Sequence, residues 1–287
     1  MKPAPFAYVR ARAIEAVFDL LAQHGDEARL LAGGQSLIPT LNLRLSAPRV
    51  LIDINGLDAL AGIEVTGGGL RIGALTRQRA VERSEEVARC APLIAMAMPH
   101  IAHPAVRNRG TIGGSIAYAD PAAELPACAV ALGAEIELRG RDGDRRVAAA
   151  DFFRGLYETD LRAGEVVSAV IVPAPGPDAR SAFAELARRH GDYALVGVAA
   201  HARAADAVLS DVRLVFFGLD VRPVQARAAG AALEGRRVDE KAVADAQAAL
   251  EEDLQPSGDI HASAATKLHL ARVLTGRVLR ELAGEAA

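Results

Sequence analysis

Two glycine-rich segments, about 80 residues apart, carry the residue types best suited to ligand binding. Residues 32–36 and residues 109–115 are predicted to be loops, and each contains a Gly-Gly step and ends on a serine, Ser36 or Ser115. Glycine has no Cβ, so backbone N–H groups at such steps can approach a ligand closely. Consecutive N–H groups form a concavity that suits an anion such as a diphosphate. A lone Gly-Gly step is also typical of an ordinary turn. The pair together predicts a dinucleotide site, with FAD as the leading candidate.

Other chemistry-bearing residues give weaker signals. His100 and His103 form an H-x-x-H pair, but no acidic motif accompanies it, so no metal site is predicted. Cys90 and Cys128 have apolar neighbours and are expected to be two reduced core thiols. Two cysteines are too few to ligate an iron–sulfur cluster, so such a cluster would have to belong to a partner. No nucleophile elbow and no catalytic acid–base pair is predicted.

Composition narrows the class of protein. The chain has 287 residues, 51% of them hydrophobic, which is enough for a full core. A net charge of −3 with interspersed signs gives no argument for nucleic-acid binding. No apolar run of about 18 residues exists, so no membrane span is predicted. The first residues lack the apolar stretch of a signal peptide, and we expect a cytoplasmic location.

The hydrophobic pattern predicts an α+β chain whose first part holds both glycine segments. Residues 1–55 read as a β-α-β unit with a helix over 12–24. Residues 56–176 are expected to add hairpins at Gly67–Gly69 and at Asp142-Gly143, because strand patterns flank both. Helices are predicted over 76–83, over 85–102 with breaks near Pro92 and Pro99, and over 121–132, and a strand is predicted over 166–172.

A proline-rich linker, residues 173–177, separates a C-terminal part with a different pattern. Three strands are predicted there, over 181–188, 194–202 and 208–217, followed by helices near 223–233, 239–252 and 263–283. We therefore predict an FAD-binding domain over 1–176, with subdomains of about 1–55 and 56–176, and a C-terminal α+β domain over 177–287.

Several long, ordered motifs match one known family. They are Ala32–Pro39 with Leu43-Arg44, Leu51–Asn55, Ile72–Thr76, Arg107–Gly114, Asp120–Pro126, Phe152-Phe153 and Arg189–Ala194. On these the chain resembles the FAD-binding (medium) subunit of molybdenum hydroxylases, the family of the carbon monoxide dehydrogenase flavoprotein and the xanthine dehydrogenase FAD domain. The resemblance implies a two-part FAD-binding domain of the vanillyl-alcohol-oxidase type. It also implies a C-terminal domain of a three-stranded antiparallel sheet with helices.

The resemblance implies a set of cofactor-binding residues and no metal ligand. They are Leu31, Ala32, Gly33, Gly34, Gln35, Ser36, Leu37, Ile101, Thr111, Ile112, Gly113, Gly114, Ser115, Asp120, Glu124, Val167 and Tyr193. The two glycine segments would bind the FAD diphosphate and neighbouring ribityl through N–H groups and hydroxyls. Ile101 would pack on the adenine, Glu124 would accept hydrogen bonds from the ribityl hydroxyls, and Val167 would line the flavin cleft. Tyr193 would lie against the isoalloxazine, and the two histidines would sit in a loop near the adenine.

Four of these positions also have a plain structural interpretation. Ile101 and Val167 could be ordinary core residues. Tyr193 could be a half-buried tyrosine at the start of a strand, and Glu124 a carboxylate on a helix surface. The family often carries a lysine near residue 185, where this chain has Glu185. An aromatic-Arg-Arg stretch is common before the last helix, where this chain has residues 265–267.

The resemblance implies an oxidoreductase subunit that transfers electrons. They would come from a molybdopterin centre in a large subunit, through [2Fe-2S] clusters in a small subunit, to FAD here and then to an external acceptor. The expected assembly is a dimer of heterotrimers, a heterohexamer. Two alternatives stay open from the sequence: a stand-alone FAD-dependent oxidoreductase, and a nucleotide-binding module without redox function.

Overall fold

The opening β-α-β unit is a small parallel sheet with one helix against it. The computed structural model describes residues 2–284, and in it both outer strands run parallel to the middle one, in the order β1-β3-β2. The elements are β1 Ala7–Arg10, α1 Ile14–His24, β2 Ala28–Leu31, α2 Leu37–Asn42 and β3 Val50–Asp53. The outer strands are parallel, so a crossover must connect them, and α1 provides it. Val17 and Phe18 of α1 share a buried cluster with Ile52, which confirms the predicted unit.

The second region is a five-stranded sheet in the order β4-β5-β10-β6-β7, with every pair antiparallel. Its strands are β4 Ile63–Thr66, β5 Gly69–Gly73, β6 Glu135–Gly140, β7 Gly143–Ala148 and β10 Val166–Pro173. The turns at Gly67-Gly68 and at Arg141-Asp142 confirm both predicted hairpins. A two-stranded hairpin that the sequence did not predict lies between β7 and β10. Its strands are β8 Phe153–Gly155 and β9 Glu158–Thr159.

Short helices lie over this sheet where longer ones were predicted. They are α3 Gln78–Arg83, α4 Glu85–Cys90, α5 Pro92–Ala97, α6 Pro104–Arg107, α7 Ile112–Tyr118, α8 Glu124–Ala131 and α9 Ala149–Phe152. The breaks predicted near Pro92 and Pro99 are confirmed, because residues 85–102 contain α4, α5 and a 3₁₀ helix, Met98–His100. Ala91 has non-helical dihedrals, and Pro92 begins a new helix there. The helix predicted from residue 121 begins at Glu124, because Asp120 accepts a hydrogen bond from the Ala122 amide and forms a turn first.

The C-terminal part is an antiparallel sheet with helices on one face. Its long strands are β11 Ala179–Ala187, β12 Ala194–Ala205 and β13 Val208–Phe217, as the sequence predicted. Two short strands, β14 Val224–Gln225 and β15 Arg236–Arg237, also pair with β13, so the sheet has five strands instead of three. Only two residues pair in each, too few to show a strand pattern. The helices are α10 Arg227–Ala231, α11 Glu240–Asp253 and α12 Ala264–Leu282.

Helix α8 joins the C-terminal sheet to the second region. All of its residues are buried, and it packs on β12 and β13. One apolar cluster contains Leu125 and Ala129 of α8 together with Phe183, Val215 and Phe217 of the C-terminal sheet. A mixed helix-and-sheet structure is therefore established, while a domain division at residues 176 and 177 stays a prediction. Within residues 2–284, no helix combines the length and apolarity that a membrane crossing requires.

Candidate functional site

The structure brings the two glycine segments into direct contact. A Cβ added to Gly33 would lie 2.4 Å from the Arg109 carbonyl oxygen and 2.8 Å from the Cα of Gly110. No real Cβ tolerates such a distance to backbone atoms, so only glycine lets the segments approach this closely. Gly34 has φ +73°, in the left-handed region that also favours glycine. The Gly-Gly step in this segment is therefore required by geometry.

The first segment presents a run of unused hydrogen-bond donors. Five consecutive backbone N–H groups, those of residues 33–37, have no acceptor within residues 2–284. The Gly33 and Gly34 carbonyls do have donors, from the Gln35 side chain at 3.1 Å and from the Ile38 amide at 3.0 Å. The segment connects β2 to α2 and is partly exposed along its length. Adjacent free N–H groups pointing out of a turn form a site for an anionic group.

The second segment is the beginning of a helix, although the sequence predicted a loop. Thr111 is the N-cap of α7, and its hydroxyl accepts the Gly114 amide at 3.1 Å. The Ile112 and Gly113 amides donate to the Thr76 and Ala74 carbonyls at 3.1 and 2.9 Å, and the Ser115 amide to the Thr111 carbonyl at 3.2 Å. The backbone N–H groups of residues 112–115 are thus already paired.

Gly113 is required by the same packing. A Cβ at this position would lie 2.3 Å from the Ala74 Cβ. The second segment therefore offers a ligand the side chains of Thr111 and Ser115 more readily than its backbone.

A polar network holds the two segments together. The Asn55 amide group donates to the Ala32 carbonyl at 2.8 Å, and Arg77 donates to Asn55 Oδ1 at 2.8 Å and to the Arg109 carbonyl at 2.5 Å. Asp53 accepts from Asn55, and it also accepts from a tyrosine hydroxyl on β1. Burial raises the pKa of Asp53, but these hydrogen bonds outweigh burial and lower it overall. Arg77 was not predicted as a site residue, because its partners are distant in sequence.

Ile101 and Val167 are both more than nine-tenths buried, with exposed fractions of 8% and 7%. This is what the core-packing interpretation expects, so contact of either side chain with a ligand stays a prediction. The segment after Ile101 is nevertheless unusual, because Ala102 has φ +45°. The buried Arg107 guanidinium fixes it by donating to the Ile101 carbonyl at 2.8 Å while pairing with Glu82 at 3.0 Å. This hydrogen bond from Arg107 to the segment was not predicted from the sequence.

Buried ionisable groups lie beside that segment. Glu124 is the first residue of α8 and is 8% exposed, so the interpretation as a helix-surface carboxylate is excluded. Burial raises the pKa of Glu124 to about 7. Nearby, His100 Nδ1 lies 3.3 Å from Glu185 Oε1. In the described part of the chain, no cluster of three or more His, Cys, Asp or Glu side chains could hold a metal ion.

Three of the four tyrosines gather around Asp120. Tyr118 and Tyr157 make an edge contact, with ring centroids 5.1 Å apart. Tyr193 is 67% exposed as a residue. Its hydroxyl is nevertheless partly desolvated, and this effect, together with the charge of Asp120 and the Tyr157 phenol nearby, raises the pKa of Tyr193 to about 12. Tyr157 lies at the turn between β8 and β9 with φ +56°, a strained conformation for a non-glycine residue. Asp120 and Tyr193 were predicted as site residues, whereas Tyr118 and Tyr157 were not.

Family models match almost the entire chain. Residues 4–175 match the FAD-binding domain in molybdopterin dehydrogenase. Residues 181–282 match the CO dehydrogenase flavoprotein C-terminal domain.

Individual relatives are similar over their full lengths. The chain is 36% identical to the 6-hydroxypseudooxynicotine dehydrogenase complex subunit alpha of Paenarthrobacter nicotinovorans, covering 97% of this chain and 95% of that one. It is 35% identical to the glyceraldehyde dehydrogenase medium chain of Sulfolobus acidocaldarius, covering 99% and 100%. Among solved structures, a chain of carbon monoxide dehydrogenase from Hydrogenophaga pseudoflava superposes with a TM-score of 0.96 at 37% identity, covering 100% of both chains. This protein therefore belongs to the family of FAD-binding medium subunits of molybdenum hydroxylases.

Proposed function

We propose that this chain is the FAD-binding electron-transfer subunit of a molybdenum hydroxylase, with FAD held where the two glycine segments meet. The observation that carries the proposal is the run of five unpaired N–H groups over residues 33–37, beside the contact of Gly33 with Gly110. A diphosphate needs several hydrogen-bond donors close together, and the five consecutive unpaired N–H groups of this segment support this assignment. Family membership favours FAD as the molecule that carries the diphosphate.

We assign the contacts to the diphosphate residue by residue. The N–H groups of residues 33–37 would bind the phosphate oxygens, and the Ser36 hydroxyl would add a further donor. From the second segment we assign the Thr111 and Ser115 side chains, because the amides of residues 112–115 already have acceptors. The network of Asn55 and Arg77 would keep the two segments at a fixed separation, which reduces the entropy lost on binding.

The remaining assignments place the ends of the dinucleotide. We assign the adenine to the Ile101 side and the ribityl chain to Glu124, whose buried carboxyl can exchange hydrogen bonds with hydroxyls. Tyr193 and Asp120 would flank the isoalloxazine, and Val167 would lie deeper in the cleft. Two separate sheets, one parallel and one antiparallel, supply the two glycine segments and their supports. This arrangement supports a two-part domain of the vanillyl-alcohol-oxidase type.

Bound FAD would supply the redox chemistry, since it can accept an electron pair and release it to an acceptor. The residues of this chain bind and orient it and set the polarity around it. Electrons would arrive from [2Fe-2S] clusters in a small partner subunit, fed by a molybdopterin centre in a large one. We propose a dimer of such heterotrimers working in the cytoplasm.

Co-purification tests this proposal. The untagged chain would be isolated from its native host with its neighbours, and the visible spectrum and the iron and molybdenum contents measured. A complex containing flavin, iron and molybdenum is the expected result. A yellow chain that is alone and turns over a small organic substrate would contradict the subunit role. A colourless chain that takes up no added FAD would contradict flavin binding.

A further inference from the structure

The buried Glu185 side chain of the C-terminal sheet pairs with His100, which lies on the proposed adenine side of the site. His100 ends a 3₁₀ helix, Met98–His100, directly before Ile101, and Glu185 lies on β11. His100 Nδ1 is 3.3 Å from Glu185 Oε1, and the Glu185 side chain is only 5% exposed. Its second oxygen, Oε2, is buried and has no hydrogen-bond partner in the described residues. A buried carboxylate with one unsatisfied oxygen depends strongly on the single cation beside it.

The surroundings offer that carboxylate little other compensation. Of the basic side chains within residues 2–284, His100 is the one within ion-pair distance of Glu185. Helix α8 contributes Glu124, whose negative charge repels that of Glu185, and the neutral thiol of Cys128. The segment after β11 contributes His190, whose ring stacks on that of His100 with centroids 6.3 Å apart, and β11 itself adds the Phe183 ring at 5.0 Å from His100.

We propose that Glu185 is a positioning residue that holds His100–Ala102 in place through the protonated His100 ring, so that FAD is retained less well once His100 loses its proton. This inference rests on the proposed function. It gives a role to the first histidine of the H-x-x-H pair and to Glu185. The Ala102 conformation, with φ +45°, is unfavourable by itself, and the pair adds to the support that Arg107 gives this segment.

The sign of the pH effect follows from the pair. The hydrogen bond and charge of Glu185 raise the pKa of His100, against the opposing effect of burial. The stabilisation is therefore fully present below the ordinary histidine pKa of about 6.5 and is lost as pH rises through the raised value. Above it, a buried carboxylate faces a neutral ring, and conformations that release His100–Ala102 become more populated. The apparent dissociation constant for FAD increases in proportion to the loss of the competent conformation.

The test measures FAD affinity between pH 6 and pH 9 by titrating the apo form of the full chain and following flavin fluorescence. The variants are Glu185→Gln and His100→Gln, with His269→Gln as the matched control, since His269 is exposed on α12. We expect wild type and His269→Gln to lose affinity about tenfold across the range. Glu185→Gln removes the buried charge, so across this pH range its affinity is expected to change by no more than about threefold, the part that titration of Glu124 contributes.

His100→Gln keeps the test decisive if Glu185→Gln does not fold, and circular dichroism checks both variants. His100→Gln should bind weakly at every pH and keep only the shallow slope that Glu124 contributes. A wild-type slope that survives in either folded variant would overturn the inference. A wild-type chain that binds no FAD at any pH would instead overturn the proposed function, so the two failures are distinguishable.

Discussion

Gly33 is the residue on which the contact between the segments depends most directly. Gly33→Ala would place a Cβ 2.4 Å from the Arg109 carbonyl oxygen, so the segments must separate. We expect a stability loss of about 1–3 kcal/mol and an FAD content after purification reduced at least about tenfold, the factor that corresponds to 1.4 kcal/mol of binding energy. Gly67→Ala is the matched control, because a Cβ there meets nothing within 4 Å. A Gly33→Ala variant that retains FAD as Gly67→Ala does would contradict the assigned site.

Glu124 sets a pH dependence of folding. Its folded-state pKa is raised to about 7, so its protonated form is favoured and the stabilisation is lost as pH rises from the unfolded value near 4.5 through 7. The loss for this one group is up to about 3 kcal/mol. Glu124→Gln in the apo chain should be more stable than wild type at pH 8 and should show a flatter dependence between pH 5 and 7. Urea unfolding at several pH values measures this, and an unchanged slope would refute it.

Tyr193 tests the isoalloxazine assignment through fluorescence. A phenol ring in contact with a flavin quenches its emission, so replacing the ring by an aliphatic side chain removes the quencher. We expect Tyr193→Leu and Tyr193→Phe both to raise the emission of bound flavin, because neither side chain can donate an electron to the excited flavin as the phenol does. Equal emission from wild type and the leucine variant would place the isoalloxazine elsewhere. FAD occupancy is measured in the same samples to separate quenching from loss of the cofactor.

Among the helices, a comparison of two N-cap residues distinguishes an effect on FAD binding from an effect on stability. Thr111 caps α7 beside the proposed site, and Ser263 caps α12 by accepting the Thr266 amide at 3.1 Å. Thr111→Val and Ser263→Ala should each cost about 1 kcal/mol in the free energy of unfolding. Only Thr111→Val should also weaken FAD binding, since it changes a proposed ligand contact. Equal FAD affinity in the two variants would argue against a role for Thr111 in binding.

Local sequence patterns predicted the elements whose form is decided locally. The β-α-β opening, both hairpins and the long C-terminal strands follow from periodicity and from turn residues. The second glycine segment was predicted as a loop because Gly113-Gly114 is a poor helix former. It forms a helix because the Thr76 and Ala74 carbonyls accept its first amides, and those partners come from the end of another strand. Partners from distant segments are not visible in a local pattern.

At the scale of the whole molecule, helix α8 joins the second region to the C-terminal sheet. Glu124 begins this helix beside the proposed site, and Arg213 of the C-terminal sheet reaches the Ala131 carbonyl at its other end at 3.5 Å. The sequence motifs identified the glycine segments, Glu124 and Tyr193 as candidates. They did not reveal the Glu185–His100 pair or the contact of Tyr118 with Tyr157, because these bring together residues from separate elements. Site residues contributed by packing require the assembled structure.

Hydrogen–deuterium exchange of the apo chain, with and without added FAD, shows whether residues 33–37 bind the cofactor. The amides of residues 33–37 have no acceptor within residues 2–284, so they should exchange fast in the apo form and slow strongly when FAD binds. The amides of residues 112–115 are already paired and should change much less. We expect FAD to protect the amides of residues 33–37 from exchange. Bound FAD with unchanged exchange at residues 33–37 would contradict it.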